Sequence, residues 1–482
     1  MIPVVTPDEM SAIDAAAPEP VEVLIERAGA AVARGAVELV GRSYGVRAVV
    51  VAGKGNNGRD GLAAARRLRR RGWAVTAVAA GSLDRIEGVD LVLDAAFGTS
   101  FRGEYHAPDV GRARVLAVDL PSGVDAATGC ERGRALRADR TVTFAALKPG
   151  LVLGRGALLA GEVTVADIGL DTRSATVFAL DDRDIVIPLR ARDAHKYAAG
   201  VWIVGGSPNM AGAPVLAARG AFAAGASYVR VSTPGVDVPE GLPVEAVGYG
   251  LGESWADRVV EHCAPMRSVV LGPGLGRSSD TLRGVRTLFD RCPLPMVVDG
   301  DALHAVADTT APAGSGVEGA GGAVRRIRVL TPHDGEYRAL MGGVPGDDRI
   351  EAARAAARRY DAVVLLKGPT TVVAGPDGAV RLVTAGDARL ATAGTGDVLS
   401  GVVGAYLAAG VGALDAAALA AQVHAGAAVR FGRSVGMTAS DLPGAIGRLL
   451  SSRVGPLVGD VVHSSNPVAG SGRLPTAGIA CR

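Results

Sequence analysis

Short apolar runs alternate with longer Ala-rich stretches along most of this chain. In the first part the runs fall at 48–52, 75–78, 91–94, 115–118, 141–144 and 163–166. Strand-like runs separated by helical stretches predict a parallel sheet with helices on both faces. A second series of the same kind begins at 201–204 and continues through 228–231, 269–271, 296–298, 327–330 and 363–366. The two series share an alternation but no repeated motif. Between them lies a charged, less periodic stretch that begins near 171, of which 176–192 reads as the linker. The expected organisation is an α/β domain at 1–175, the linker at 176–192, a second α/β domain at 193–450 and a tail at 451–482. Ser, Gly and Pro dominate the tail, which predicts poor order. The Gly-rich stretch 311–322 predicts a mobile insertion.

Composition narrows the classes. A chain of 482 residues is too long for one ordinary core. Hydrophobic residues make up 48% and charged residues 21%, as in soluble globular proteins, while aromatics are only 4%. So few rings argue against a nucleic-acid surface built on stacking, and a net charge of +2 is too small to imply a polyanion partner. The one basic cluster, Arg66 to Arg71 around Leu68, follows an Ala-rich helical stretch and reads as a solvated helix end. Four cysteines without paired spacing fit a reducing cytosol. The first residues lack a charged leader with an apolar core, so no signal peptide is read. The uncharged stretch 398–414 reads as a buried helix, not a membrane span. A cytoplasmic protein with no membrane partner is the expectation.

Candidate chemistry sits at the ends of the apolar runs. The run 363–366 leads into Lys367-Gly368-Pro369-Thr370-Thr371, a turn able to place an ammonium and open N–H groups around phosphates. Further on, Gly394-Thr395-Gly396-Asp397 precedes a helical stretch. Three small residues at a helix N-terminus form an anion hole, and the adjacent carboxylate can act as a base. Phosphoryl transfer to a hydroxyl needs both. The bland reading is a glycine-rich turn with an N-cap Asp.

In the first series, the run 48–52 enters Gly53-Lys54-Gly55-Asn56-Asn57-Gly58-Arg59-Asp60-Gly61. A glycine-rich turn from strand to helix is a phosphate cradle. Its paired Asn and its Asp add oxygens that could hold a cation or orient a polar ring. Asp94 and Asp119 close two later runs, where open α/β sheets bind ligands. Each could be a plain turn former; three at strand ends favour a site.

These motifs carry a resemblance. The pairing of 367–371 with 394–397 resembles the ribokinase-like superfamily. Four further motifs narrow it: His195-Lys196-Tyr197, the stretch 204–214, Gly272-Pro273-Gly274-Leu275-Gly276, and Thr331-Pro332-His333-Asp334-Gly335-Glu336. Together, over roughly 193–445, they look like the ADP-dependent NAD(P)H-hydrate dehydratase family. The first 170 residues resemble the NAD(P)H-hydrate epimerase family.

The resemblance implies an N-terminal Rossmann-like three-layer domain followed by a ribokinase-like α/β domain. It implies an enzyme that epimerises the R and S forms of hydrated NADH and NADPH. The same enzyme dehydrates the S form with ADP, releasing AMP and phosphate. The substrate is a reduced nicotinamide with water added at ring carbon six. Hydroxide leaves badly, since the conjugate acid water has a pKa of about 15.7. Phosphate has a conjugate pKa of about 6, so phosphorylating the hydroxyl first lowers the elimination barrier.

In the first site the resemblance implies contacts to the hydrated dinucleotide from Asn56, Asn57, Gly58, Arg59 and Asp60, and from Gly98, Thr99, Ser100, Phe101, Arg102, Gly103 and Glu104. Asp119 is the implied acid/base, with K+ near Asn57, Asp94 and Ser122. Arg59 departs from the family, which usually has a second Gly there; its side chain could crowd the turn or contact a phosphate. In the second site Asp397 is the implied base. Lys367, Gly368, Pro369, Thr370, Thr371, Gly394, Thr395 and Gly396 contact the nucleotide, and Ala211, Gly274 and His333 line the hydrate site. Asp334 and Glu336 are candidates to support Mg2+. Ala211 stands where the family motif has Thr, so one hydroxyl contact is missing.

The partners are then hydrated NADH or NADPH and ADP, with homo-oligomerisation possible. A chain starting near residue 190 is expected to dehydrate one epimer by itself. Two readings compete: a small-molecule kinase of the same superfamily, and a non-catalytic nucleotide-binding module in the first half.

Overall fold

A computed structural model describes residues 1–236, 241–307, 326–433 and 435–453. The Gly-rich stretch 311–322 and the tail beyond 453 lie outside the described residues. Both apolar series form the expected strands. The first gives a six-stranded, all-parallel sheet in the order Ala74–Ala79, Arg47–Ala52, Leu91–Ala95, Arg114–Val118, Arg140–Phe144, Glu162–Ala166. Helix Val21–Val40 buries its Ala and Gly face against helix Asn56–Arg70, and both cover the sheet. The Arg cluster ends the second of these helices: Arg66 and Arg67 pair with Glu26, and Arg69 donates to Val75 O.

The second series is a parallel sheet running from Val247–Gly248 through Tyr228–Ser232, Gly200–Val204, Ser268–Leu271, Met296–Val298 and Arg328–Leu330 to Val363–Leu366. An antiparallel hairpin, Thr371–Ala374 with Val380–Val383, extends it. Helix Thr395–Ala408 is buried along almost its whole length and packs on helix Gly212–Ala223 and the sheet. Among the described residues, no helix is long and apolar enough to cross a membrane.

The segment expected to be a linker is built into this second sheet. Strand Val177–Ala179 pairs parallel with Val380–Val383, and the N-terminal strand Ile2–Val4 pairs antiparallel beside it. Among the described residues the sheet thus reaches eleven strands, two of them from before residue 193. Leu180 and Ile185 are buried in the second domain's core. Asp182 accepts from Gln422 Nε2 at 3.0 Å and pairs with Arg430 and Arg453. Of the charged residues that made 176–192 look like a linker, Asp181, Asp182, Arg183 and Asp184 are ion-pair partners and turn formers. One apolar cluster also runs from Leu120, Leu151 and Leu153 of the first half to Val177, Val372 and Leu382.

A chain starting near residue 190 therefore loses part of a core. Burying a Leu or Ile side chain stabilises by about 1.5–3 kcal/mol. For a domain of this size about 1 kcal/mol moves Tm by 2–4 °C. Losing Leu180 and Ile185 should lower Tm by roughly 10 °C relative to a chain starting at 174, measured by thermal unfolding. Equal Tm values would restore the linker reading.

Candidate active sites

The first site lies where the strand order of the six-stranded sheet reverses. From Arg47–Ala52 the chain crosses to Ala74–Ala79 on one side and returns to Leu91–Ala95 on the other. The carboxyl ends of the strands part there and leave a crevice. A cavity of about 770 Å³ occupies it. Helix Asn56–Arg70 begins at its wall with no side-chain cap, so its first N–H groups are open to an anion. Asn56, Asn57 and Asp60 line the cavity with Gly98, Thr99, Ser100, Phe101, Arg102 and Asp119.

Four expected residues do not line it. Gly58 lies beneath the turn, where a Cβ would overlap Gly53 O. Arg59 turns outward to Asn56 Oδ1 and Glu22, so it neither crowds the turn nor faces the cavity. Gly103 and Glu104 are exposed beyond it.

The floor holds buried charge. Asp119 has φ +67, a left-handed conformation uncommon outside Gly. Lys148 Nζ donates to Asp119 Oδ1 at 2.7 Å, and Thr143 Oγ1 donates to the same oxygen at 2.9 Å. Asp60 is buried beside them. Burial first, then the Asp119 charge, push its carboxyl up to about 8. Asp14, on the N-terminal helix Pro7–Ala15, also lines the cavity, and burial raises its pKa. Gly98 is tightly placed: a Cβ there would stand 3.1 Å from Asp119 Oδ2 and 3.3 Å from Asn57 Cγ.

Next to this floor is a second set of oxygens. Asp94 is 1% exposed and accepts from Ser122 N at 2.8 Å, while Ser122 Oγ accepts from Phe97 N at 2.9 Å. Burial raises the Asp94 pKa against the pull of the Ser122 bonds. Both amide atoms of Asn57 are buried without a hydrogen-bond partner among the described residues. Such orphaned atoms are costly unless a ligand satisfies them.

The second site gathers at the carboxyl ends of the second sheet's strands. Gly394 has φ +90, where a side chain would be strained, and caps helix Thr395–Ala408 without a side-chain bond. The N–H groups of Gly396 and Asp397 fall in the open first turn. Lys367 follows strand Val363–Leu366, and its Nζ stands 3.6 Å from where a Cβ on Gly396 would be. It is held by Asp299 Oδ1 at 3.0 Å and Glu336 Oε2 at 3.5 Å. Burial pulls its pKa down, but those two carboxylates together outweigh it and keep it above the ordinary value. Burial first, then the Asp299 charge, push Asp397 up to about 7, with Lys367 opposing.

His333 caps helix Asp334–Met341, its Nδ1 accepting from Gly335 N at 2.9 Å while Glu336 Oε2 accepts from His333 N. Gly274, with φ +61, lies against the loop before Ala211, where a Cβ would meet Met210 O at 2.8 Å. Thr370 is committed elsewhere: its Oγ1 donates to Val152 O of the first half at 2.5 Å. Asp334 accepts from Arg349 at both oxygens, and Arg349 Nη2 also donates to Lys367 O at 2.9 Å.

Several residues of both sites escaped the sequence reading. Asp299 directly follows the run 296–298, so the strand-end rule that picked Asp94 and Asp119 also picks it. Lys148 follows the run 141–144 by four residues, past a turn, and Thr143 lies inside that run. His424 sits within the Ala-rich helix Ala413–Val429, with no local signal. Its Nε2 lies 2.9 Å from Thr395 O, bracing the anion hole from behind. Burial pushes its imidazole down to about 4, against that bond.

A family model described as NAD(P)H-hydrate dehydratase matches residues 201–448. One described as YjeF-related protein N-terminus matches 21–87 and 79–150. The bifunctional NAD(P)H-hydrate repair enzyme Nnr of Moorella thermoacetica is 35% identical over 456 residues, covering 80% of this chain and 84% of that one. Its counterpart from Salinibacter ruber is 34% identical over 461 residues, covering 78% and 82%. A solved ADP/ATP-dependent NAD(P)H-hydrate dehydratase from Bacillus subtilis, co-crystallized with ATP/Mg2+, is 26% identical, with a TM-score of 0.49 over 57% of this chain and 98% of that one.

Proposed function

The chain belongs to the family of bifunctional NAD(P)H-hydrate repair enzymes, and from that premise we propose how its two sites divide the work. The enzyme epimerises hydrated NAD(P)H and dehydrates it to the reduced dinucleotide. We assign epimerisation to the cavity of residues 1–175 and dehydration to residues 193–450. The observation that carries the second assignment is Asp397 set between open helix N–H groups and the Lys367 ammonium. The N–H groups and the ammonium suffice to bind phosphate; the carboxylate beside them is what proton transfer needs.

In the second site the hydroxyl on ring carbon six attacks the terminal phosphorus of the nucleotide, and Asp397 accepts its proton. The N–H groups of Gly396 and Asp397, with Lys367, take the charge that gathers on the phosphoryl oxygens. The nucleotide leaves one phosphate shorter. The carbon–oxygen bond then breaks with phosphate as leaving group, and loss of the neighbouring ring proton restores the dihydronicotinamide. ADP is the proposed donor, giving AMP. Gly368, Pro369, Thr371, Gly394 and Thr395 frame the nucleotide, and Ala211, Gly274 and His333 frame the hydrated ring. Asp334 is paired with Arg349 through both oxygens, so an Mg2+ ion there would share that carboxylate with a guanidinium. Mg2+ would enter with the nucleotide phosphates.

In the first site Lys54 and Arg102 at the cavity wall favour the dinucleotide phosphates, and Asp119 is the acid/base. The partnerless Asn57 amide and the buried Asp94 carboxylate beside Ser122 fit a monovalent cation such as K+. That ion would supply charge to orient substrate oxygens.

The test follows recovery of nicotinamide absorbance from (S)-hydrated NADH and ADP across pH. Below about 7 Asp397 is protonated and cannot accept the hydroxyl proton. kcat/KM should therefore rise with pH to about 7 and level off above, with free phosphate released in step. A stable phosphorylated product would favour the kinase reading, and a rate that falls as pH rises through 7 would remove Asp397 as the base.

A further inference from the structure

We propose that Lys148 is the positioning residue of the first site, fixing the Asp119 carboxylate so that only Oδ2 is presented to the hydrated ring. Lys148 is 1% exposed. Its three ammonium hydrogens meet three acceptors: Asp119 Oδ1 at 2.7 Å, Thr143 Oγ1 at 2.9 Å and Phe144 O at 2.9 Å. Thr143 Oγ1, which accepts from Lys148, donates in turn to Asp119 Oδ1. Asp119 Oδ1, Lys148 Nζ and Thr143 Oγ1 form a closed triangle, so Oδ1 is saturated from the protein side. Oδ2 has no hydrogen-bond partner among the described residues. It points to the Gly98 wall, close enough that a Cβ there would touch it.

Two features separate this arrangement from an ordinary buried ion pair. A pair kept only for stability is often replaceable by apolar side chains of similar volume, and nothing in such a role requires one carboxylate oxygen to face a cavity. Here Asp119 also holds a positive φ, anchored by its own N–H to Val142 O at 2.8 Å. The backbone and the triangle together leave its side chain one orientation. A fixed proton carrier is worth much in catalysis, because misplacing a reacting group costs rate without costing binding. Lys148 lines the cavity but spends all its donors inside the protein, so it acts through Asp119.

The inference rests on reading this cavity as the epimerase site, so Asp119→Ala is measured alongside. In the full-length chain, Lys148→Met should cut kcat for epimerisation by about a hundredfold while KM changes by less than about threefold. Dehydration of the S epimer should persist, as a control for folding. Adding methylammonium or ethylammonium to Lys148→Ala should restore epimerisation in a saturable way, which a merely structural role does not predict. If Lys148→Met loses both activities through misfolding, Thr143→Val decides. It removes one hydroxyl from the triangle and should lower kcat about tenfold at unchanged KM. Wild-type kcat in Lys148→Met, or in Thr143→Val where the first fails to fold, overturns the proposal. Wild-type epimerisation in Asp119→Ala instead overturns the reading of the cavity.

Discussion

Asp397→Asn is expected to remove nucleotide-dependent dehydration while nucleotide binding persists. The substitution nearly preserves shape, so the helix start at Gly394 and the open N–H groups of the first turn remain. What it removes is the group that accepts the hydroxyl proton. Loss of a general base costs about 10²–10⁴ in rate, or roughly 3–5 kcal/mol of barrier. The carboxylate's surroundings explain why it suits the task. Burial and Asp299 push its pKa to about 7, near the pH at which a base works best. Single-turnover recovery of absorbance with ADP measures the loss, and ADP binding by calorimetry measures what is kept. Turnover close to wild type would remove Asp397 from the mechanism.

Asp119→Ala should abolish epimerisation and leave dehydration of the S epimer within about twofold, since distant, independent sites have additive effects. A truncated side chain leaves Lys148 and Thr143 facing each other with an uncompensated buried ammonium. Breaking a buried pair in this way costs about 3–5 kcal/mol of stability, so a thermal-unfolding curve belongs beside the kinetics. The domains share an apolar cluster, and Thr370 of the second site bonds to Val152 of the first half. A destabilised first domain could therefore weaken the second. Asp119→Asn, which keeps the volume, separates the cases: loss of epimerisation alone marks a catalytic role, and equal loss of both activities marks a structural one.

The strands and the two candidate sites were legible in the sequence for one reason. Parallel strands buried on both faces read as apolar runs, and ligand-binding residues follow their carboxyl ends. That rule located Asp94, Asp119 and Lys367, and it extends to Asp299. It failed where local pattern and tertiary role part company. Val177–Ala179 is short, lies among charged residues and becomes a strand only because Val380–Val383 offers an edge. Ile2–Val4 is the same case, since its partner is 175 or so residues away. Nothing near His424 marks it as the brace behind Thr395. Arg59 misled in the opposite direction: it sits inside the glycine-rich turn motif, yet its helix position turns it toward Glu22. Thr370, within the lysine-glycine motif, spends its hydroxyl on the first half.

The central claim is that one chain carries two separate catalytic sites acting in series on the hydrated dinucleotide. The most direct measurement mixes Asp119→Ala with Asp397→Asn and supplies both epimers of hydrated NADH with ADP. Alone, the first variant should stop when the S epimer is spent, apart from slow spontaneous epimerisation, and the second should recover nothing. Together they should recover the full nicotinamide absorbance at an enzymatic rate, because each supplies the site the other lacks. A mixture that stops where Asp119→Ala stops would contradict the account.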